Sequence, residues 1–124
     1  MVGKATKNRR NGFSFERRRL SQAYRDGGHG TRFYASKGIV DIIYIDRDGV
    51  SHLEQLKYSS VGKARISTSE LRDLCRFARR WQGCNVYVSL VLKDAYRIPE
   101  VYHLNKIEVD PETITLKQLR SENQ

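Results

Sequence analysis

Residues 36–57 constrain the fold of this chain more than any other stretch. Ile39 to Ile45 is a β-branched and aromatic run too short for a helix, so it predicts a strand. Residues 46–49 (Asp-Arg-Asp-Gly) have the composition of a turn, and Val50 to Tyr58 then predicts a second strand. The stretch therefore predicts a hairpin at the centre of the fold.

Polar residues interrupt both strands of this hairpin. Asp41 lies inside the first apolar run, and the second contains Glu54, Gln55 and Lys57. Side chains alternate along a strand, so Gln55 and Lys57 should share one face while Glu54 shares the other with Leu56. Buried charges are costly unless they pair or bind a metal. The pattern predicts either a half-exposed hairpin or a site for a divalent cation and a phosphate.

The positive charge of the chain is concentrated before this hairpin. The net charge is +9, and residues 1–40 carry ten Lys and Arg against two acidic residues. A basic surface of this kind attracts polyanions, of which nucleic acid is the commonest inside cells. An anionic membrane is the alternative, but the first predicted helix is poor in the bulky apolar anchors that it would require. Nucleic acid is the predicted partner.

Length and composition indicate one intracellular, cytoplasmic domain. The 124 residues suffice for a single core, so residues 1–124 are expected to form one domain, with residues 105–124 as a C-terminal extension. No apolar run is long enough to span a membrane, and no signal peptide follows Met1. Cys75 and Cys84 match no usual zinc spacing and are expected to be reduced thiols.

The pattern along the chain predicts an α/β (α+β) fold with a mixed central sheet flanked by helices. A mobile basic arm is predicted over residues 1–11, and a helix capped by Ser14 is predicted to run to about Arg25. On that helix Glu16 faces inward, unless the helix dipole alone explains it, while Arg17, Arg18 and Arg19 face solvent. The further elements are predicted strands over 31–35, 39–45, 50–58, 85–92 and 96–104, a helix capped by Ser67, and a short helix starting near 110–112.

These residues resemble a known family. Phe15-Glu16-Arg17 on a helix, Ser36-Lys37 before Asp41, and Gln55-Leu56-Lys57 on the next strand look like the motifs of PD-(D/E)XK nucleases, and are most similar to those of archaeal-type Holliday junction resolvases. Residues 77–83 (Phe-Ala-Arg-Arg-Trp-Gln-Gly) also resemble a segment of that family. The likeness covers roughly residues 8–104. It implies a restriction-endonuclease-like αβββαβ core.

The resemblance also implies a site and an activity. It implies a Mg²⁺-dependent endodeoxyribonuclease, with Mn²⁺ able to substitute, that resolves four-way DNA junctions in recombination and repair as a homodimer. The implied catalytic residues are Glu16, Ser36, Asp41, Gln55 and Lys57, with Asp41, Gln55 and Glu16 as metal ligands. The implied DNA-binding residues are Arg9, Arg10, Arg17, Arg18, Arg32, Lys37, Lys63 and Arg65.

The chain departs from the family at one position. The strand motif is usually Glu-x-Lys, whereas Gln55 stands two residues before Lys57 and Glu54 precedes it. A glutamine carbonyl oxygen can bind Mg²⁺, which takes oxygen ligands. A bulge that turns Glu54 onto the active face is the alternative. Two other functions remain open, namely a PD-(D/E)XK nuclease acting on other DNA and a basic DNA-binding protein without catalysis.

Overall fold

Five strands and three helices form the described part of the chain, which covers residues 4–32 and 38–122, with side chains from Ser14 onward, in a computed structural model. In chain order the elements are α1 (Lys4–Arg25), β1 (His29–Arg32), β2 (Ile42–Ile45), β3 (Ser51–Tyr58), α2 (Thr68–Arg79), β4 (Val86–Lys93), β5 (Glu100–His103) and α3 (Leu116–Glu122). The strands lie in the spatial order β1-β2-β3-β4-β5. The β3–β4 pair is parallel and the other three pairs are antiparallel, which confirms the predicted mixed sheet.

Helices cover both faces of the sheet because alternate residues of the central strands are apolar on each side. Leu53 of β3 packs with Leu90 and Leu92 of β4 against Leu71 and Leu74 of α2. On the opposite face, Leu56 and Val91 pack with Ile42 against Phe15 of α1. The fold is therefore a helix–sheet–helix sandwich with the predicted hairpin at its centre.

Helix α2 follows its sequence signature closely. The Ser67 hydroxyl accepts a hydrogen bond from the Glu70 backbone N–H at 3.1 Å, which is the predicted N-cap. Cys75 lies on its buried stripe, whereas Cys84, in the turns before β4, is exposed, and both thiols are free.

Two glycines end α1 and bring it against the sheet. Gly27 takes a φ of +91°, and Gly28 N–H donates to the Ala23 carbonyl at 2.8 Å, forming a Schellman end. A Cβ on Gly28 would lie 2.4 Å from the Ile45 carbonyl oxygen, so only glycine fits this approach to β2.

Helix α1 begins ten residues earlier than predicted. It starts at Lys4 rather than at the Ser14 cap, so residues 4–11, predicted as a mobile arm, are helical. Extending an existing helix adds one hydrogen bond per residue fixed, and Ala, Lys and Arg are good helix formers. The sequence pattern detected only the amphipathic part, because residues 4–11 have no apolar period.

The C-terminal helix begins later than predicted. Residues 110–112 form a turn in which Asp110 accepts a hydrogen bond from the Glu112 N–H at 3.0 Å, and α3 starts at Leu116. The true cap is Thr115, whose hydroxyl accepts from the Gln118 N–H while the Gln118 side chain accepts from the Thr115 N–H. This is a capping box that the Asp-Pro-Glu signal obscured.

Candidate active site

Asp41 lies just before β2, where β2 and β3 stop pairing. Its backbone N–H donates to the Glu54 carbonyl at 2.8 Å, so the chain is still in register with β3 at this point. Its carboxylate oxygen Oδ2 accepts hydrogen bonds from the Leu56 N–H at 2.8 Å and from Gln55 Nε2 at 3.1 Å. These bonds fix the carboxylate beside the outer half of β3.

Strand β3 is regular, so it sorts its polar residues onto two faces. Each residue from Ser51 to Tyr58 pairs with one residue of β4, without a bulge. Gln55 and Lys57 therefore share the α2 face, and both are partly exposed. Glu54 points to the α1 face and is fully buried. The alternative in which a bulge turns Glu54 toward Lys57 is not the arrangement in this structure.

Glu54 is held by two partners on the α1 face. Arg19 of α1 donates Nε and Nη2 hydrogen bonds to the two carboxylate oxygens at 2.9 and 2.6 Å, and the Tyr44 hydroxyl donates at 3.1 Å. Arg19 was predicted to face solvent, and that prediction is wrong: its side chain is 20% exposed. A buried carboxylate requires a charged partner, and Arg19 lies on the α1 surface that covers Glu54.

Lys57 is paired with a residue that sequence reasoning assigned only to a helix cap. Its ammonium Nζ lies 2.7 Å from Oε2 of Glu70, in the first turn of α2. This hydrogen bond is the largest cause of the lowered pKa of Glu70. The parallel β3–α2–β4 crossover places the start of α2 beside the end of β3, and recognising that geometry would have found the pair.

Glu16 of α1 reaches the same region from another side. Its carboxylate Oε2 lies 2.7 Å from Nε of Arg32, at the end of β1. Burial raises the pKa of Glu16, Arg32 opposes that rise, and the charge of Asp41 adds to it. Arg32, predicted to bind DNA, is thus engaged with Glu16.

Burial and the neighbouring groups act in opposite directions on the ionised form of Asp41. Burial raises the pKa of Asp41, and Glu70 raises it further, while the Leu56 N–H and Lys57 lower it. Burial is thus the main cost of ionising Asp41, with Glu70 adding to that cost and Lys57 opposing it. A divalent cation bound by the carboxylate would offset the cost.

The donor set suits a hard cation. Asp41 supplies a carboxylate and Gln55 an amide, which is bonded to Asp41 through Nε2 and would offer its carbonyl oxygen after a half-turn of the amide. Within residues 14–32 and 38–122, no three His, Cys, Asp or Glu side chains are grouped as a metal site. The residues that fit a cation are therefore one carboxylate and one amide, those of Asp41 and Gln55.

The other predicted site residues are only partly described. Ser36 and Lys37 lie outside the described residues, and Arg9 and Arg10 belong to the part of α1 whose side chains are not described. Arg17 and Arg18 are exposed on α1, and Lys63 and Arg65 are exposed on the loop after β3. Their predicted contacts with DNA stay predictions. No helix in the described ranges is long and apolar enough to cross a membrane.

Comparison with known proteins bears on the fold. No family model matches the chain, and no curated protein sequence is similar to it. Among solved structures, the chain resembles Hjc, a Holliday junction resolvase from the archaeal hyperthermophile Archaeoglobus fulgidus, with a TM-score of 0.56 and 23% sequence identity over 81% of this chain and 78% of that one. The likeness confirms the predicted restriction-endonuclease-like fold and, at the level of the fold, the resemblance to archaeal-type resolvases.

Proposed function

We propose that this chain is a metal-dependent DNA endonuclease that resolves four-way junctions by phosphodiester hydrolysis. The observation that carries the proposal is the juxtaposition of Asp41, Gln55 and Lys57 at the point where β2 and β3 diverge. The fold adds support, because it resembles that of a Holliday junction resolvase. The simpler alternative, a half-exposed hairpin with Asp41 and Lys57 facing water, is less well supported, because Asp41 is bonded to Gln55 and the Leu56 N–H and Lys57 to Glu70.

Asp41 and Gln55 would hold Mg²⁺, with Glu16 as a direct or water-mediated ligand. A bound Mg²⁺ supplies positive charge to the transferring phosphate and lowers the pKa of an attacking water. Mn²⁺, which accepts the same oxygen donors, is expected to substitute. The Leu56 N–H orients the Asp41 carboxylate before a cation arrives, whereas Gln55 would have to turn its amide to offer the carbonyl oxygen.

Lys57 would act on the scissile phosphate. Its ammonium lies on the same face as Gln55, two residues further along the strand, where it can stabilise developing negative charge or orient the attacking water. Its pairing with Glu70 requires that a DNA phosphate replace the carboxylate. Ser36 and Lys37 are proposed to contact the same or the adjacent phosphate.

The arginines and lysines outside the site would hold the DNA backbone. Phosphate contacts give affinity without reading bases, so cleavage is proposed to follow DNA structure rather than sequence. Paired cuts across a junction require two active sites, and we therefore propose a homodimer. The proposed DNA-binding set is Arg9, Arg10, Arg17, Arg18, Arg32, Lys37, Lys63 and Arg65.

Incubation with labelled DNA tests the function. Pure protein should cut a four-way junction with Mg²⁺, and cleavage should stop with EDTA or in Asp41→Asn. Preferential cutting of duplex or single strands would favour another nuclease of this fold. Cutting by Asp41→Asn at the wild-type rate would exclude the proposed site.

Binding without catalysis is the second candidate, favoured by two observations. Gln55 lacks the charge of the usual acidic ligand, and Lys57 is engaged by Glu70. Tight junction binding with no cleavage in Mg²⁺ or Mn²⁺ would establish it.

A further inference from the structure

Two loops expose large apolar side chains at one end of the sheet. Val61 lies in the loop after β3, and Tyr96 and Ile98 lie in the loop after β4. Their exposed fractions are 83%, 100% and 87%, the highest among the large apolar residues that the structure describes. We call these three residues the apolar tip. The two loops are hydrogen-bonded to each other, and contiguous exposed apolar side chains mark interaction surfaces.

The loops under the tip are firmly held. The Ala95 N–H donates to the Gly62 carbonyl at 2.8 Å, which joins the two loops. Asp94 is buried, and its Oδ1 accepts from the Ala64 N–H at 2.7 Å and from Arg120 at 2.8 Å. The exposure of the tip is therefore not caused by a loose loop.

The backbone at Tyr96 is strained. Its φ is +62°, and it is the only non-glycine residue with positive φ in the described part of the chain. Bulky side chains rarely adopt this region, and such outliers concentrate at functional sites. The strained residue thus carries a fully exposed aromatic ring.

Positively charged hollows lie on both sides of the tip. One, of about 320 Å³, is lined by Arg18, Arg25 and Lys93 together with Pro99, so it borders the loop after β4. The other, of about 370 Å³, borders the loop after β3 and is lined by Lys63 and Lys117 and by Arg120, whose charge is already paired with Asp94 and Glu100. Neither has an Asp or Glu among the described residues that line it. The surroundings of the tip thus favour an anionic partner.

The tip lies at the same end of the sheet as the candidate active site. Lys57 pairs with Leu92, and Asp94 follows two residues later. At about 3.3 Å per residue, the base of the tip is roughly 7 Å beyond Lys57 along the strand direction. DNA whose phosphate contacts Lys57 would extend over the tip.

We propose that the apolar tip binds an unstacked or unpaired DNA base, with Tyr96 stacked on the base and the two hollows holding the flanking phosphates. An exposed aromatic ring between cations is the arrangement by which proteins bind single-stranded nucleic acid. This inference rests on the proposed function. It adds that junctions and single strands are distinguished from duplex at Tyr96, because only they present an accessible base face.

Fluorescence anisotropy with three labelled DNAs tests the proposal. A four-way junction, a duplex and a single strand of matched sequence are titrated in EDTA with wild type, Tyr96→Ala and Tyr96→Phe. Tyr96→Ala should weaken junction and single-strand binding roughly 5- to 150-fold and change duplex binding less than about two-fold. Tyr96→Phe should bind like wild type because the ring remains.

A matched pair of isoleucine variants controls for loss of exposed apolar surface. Ile98→Ala lies in the tip and should weaken junction binding, whereas Ile45→Ala, also exposed but at the opposite end of β2, should not. Circular dichroism checks folding of every variant.

The outcomes separate the tip from the proposed function. If wild type binds and cuts junctions and Tyr96→Ala binds the DNAs as tightly as wild type, the role of the tip is rejected and the proposed function stands. The same holds if Tyr96→Ala loses equal affinity for all three DNAs. Failure of wild type to bind any of the three would reject both. Sedimentation that shows Tyr96→Ala converting a dimer to a monomer would identify the tip as a contact between two copies of the chain, which also overturns the proposal.

Discussion

The ammonium of Lys57 lies 2.7 Å from the carboxylate of Glu70, so a catalytic candidate on the central strand is held by the first turn of α2. The pair connects the two elements on either side of the basic loop. DNA that uses Lys57 must break this contact.

Replacing Glu70 with glutamine should therefore strengthen DNA binding. The glutamine side chain can keep the capping box, but the substitution removes a negative charge beside the phosphate site and releases Lys57. We expect DNA to bind about two- to five-fold more tightly at low salt, the range of an exposed ion pair. Anisotropy titrations measure this, and weaker binding by Glu70→Gln would show that Glu70 instead positions Lys57 for DNA.

The contribution of the Lys57–Glu70 pair to the stability of the fold should decrease at low pH. The pKa of Glu70 is lower in the folded chain than its ordinary value, so the pair stabilises the fold above that ordinary value and loses its effect as the pH falls through the folded pKa. The contribution should be below about 1 kcal/mol because Glu70 is largely exposed. Comparing the unfolding free energies of wild type and Glu70→Gln between pH 7 and about pH 3 tests this, and a difference that persists at low pH would contradict it.

Asp41→Asn should stabilise the metal-free protein at pH 7. Burial raises the pKa of Asp41, so its ionised form opposes folding at neutral pH, and this cost disappears as the pH falls below the folded pKa. Asparagine keeps an oxygen for the Leu56 N–H without the charge. Thermal unfolding in EDTA should show the gain at pH 7 and little of it near pH 4.

Mg²⁺ should reverse the order of stability of wild type and Asp41→Asn. A ligand at ten times its Kd adds about 1.4 kcal/mol to the stability of a protein that binds it only when folded. Mg²⁺ should therefore raise the Tm of wild type and not that of Asp41→Asn. An equal rise in both proteins would remove Asp41 from the metal site.

Adjacent residues of β3 should give opposite phenotypes. Gln55→Ala should lose most Mg²⁺-dependent cleavage with little change in stability, and Gln55→Glu should keep or raise cleavage by restoring a charged ligand. Glu54→Ala should instead destabilise the fold by about 2–4 kcal/mol, because it leaves Arg19 partly buried without its partner. Cleavage rates and urea unfolding measure the two effects, and a folded, inactive Glu54→Gln beside an active Gln55→Ala would reverse the assignment.

The N-terminal part of α1 should contribute to the salt dependence of DNA binding. Residues 1–10 contain four basic side chains, Lys4, Lys7, Arg9 and Arg10. If all four contact phosphates, their deletion should reduce the slope of log K against log salt by about 3.6. An unchanged slope, with retained helicity, would show that these residues do not touch DNA.

Tyr96→Gly should increase stability while it weakens junction binding. Glycine adopts a φ of +62° without the steric cost that tyrosine bears there, so the unfolding free energy should rise by about 0.5–1 kcal/mol. Urea unfolding measures the gain in stability, and the anisotropy assay measures the loss of affinity for junctions. A loss of stability would show that the added entropy of the unfolded chain outweighs the relief of the strained φ.

Local patterns predicted the elements whose signals are local. Alternation identified β3 and the separate faces of Glu54 and Gln55, and Ser67 with Glu70 identified the start of α2. Boundaries without such a signal were missed: the beginning of α1 has no apolar period, and the cap at Thr115 was hidden by a stronger turn signal at residues 110–112.

Pairings between distant elements could not be predicted from the sequence. Arg19 and Glu54 are 35 residues apart, and only the packing of α1 on the sheet brings them together. Glu16 meets Arg32 for the same reason, whereas the Lys57–Glu70 pair follows from the β3–α2–β4 crossover, which only knowledge of the strand order supplies. The chain shows which residues are chemically unusual, whereas the fold decides which of them become neighbours.

The difference between the two thiols allows one site to be labelled covalently without mutation. Burial raises the pKa of Cys75 to about 11, so this thiol is shielded and largely protonated, whereas Cys84 is exposed before the first residue of β4. Along β4, the distance from Val86 to Leu92, the partner of Lys57, is roughly 20 Å. A maleimide fluorophore should therefore attach selectively at Cys84, far enough from Lys57 to report DNA docking by energy transfer without obstructing it.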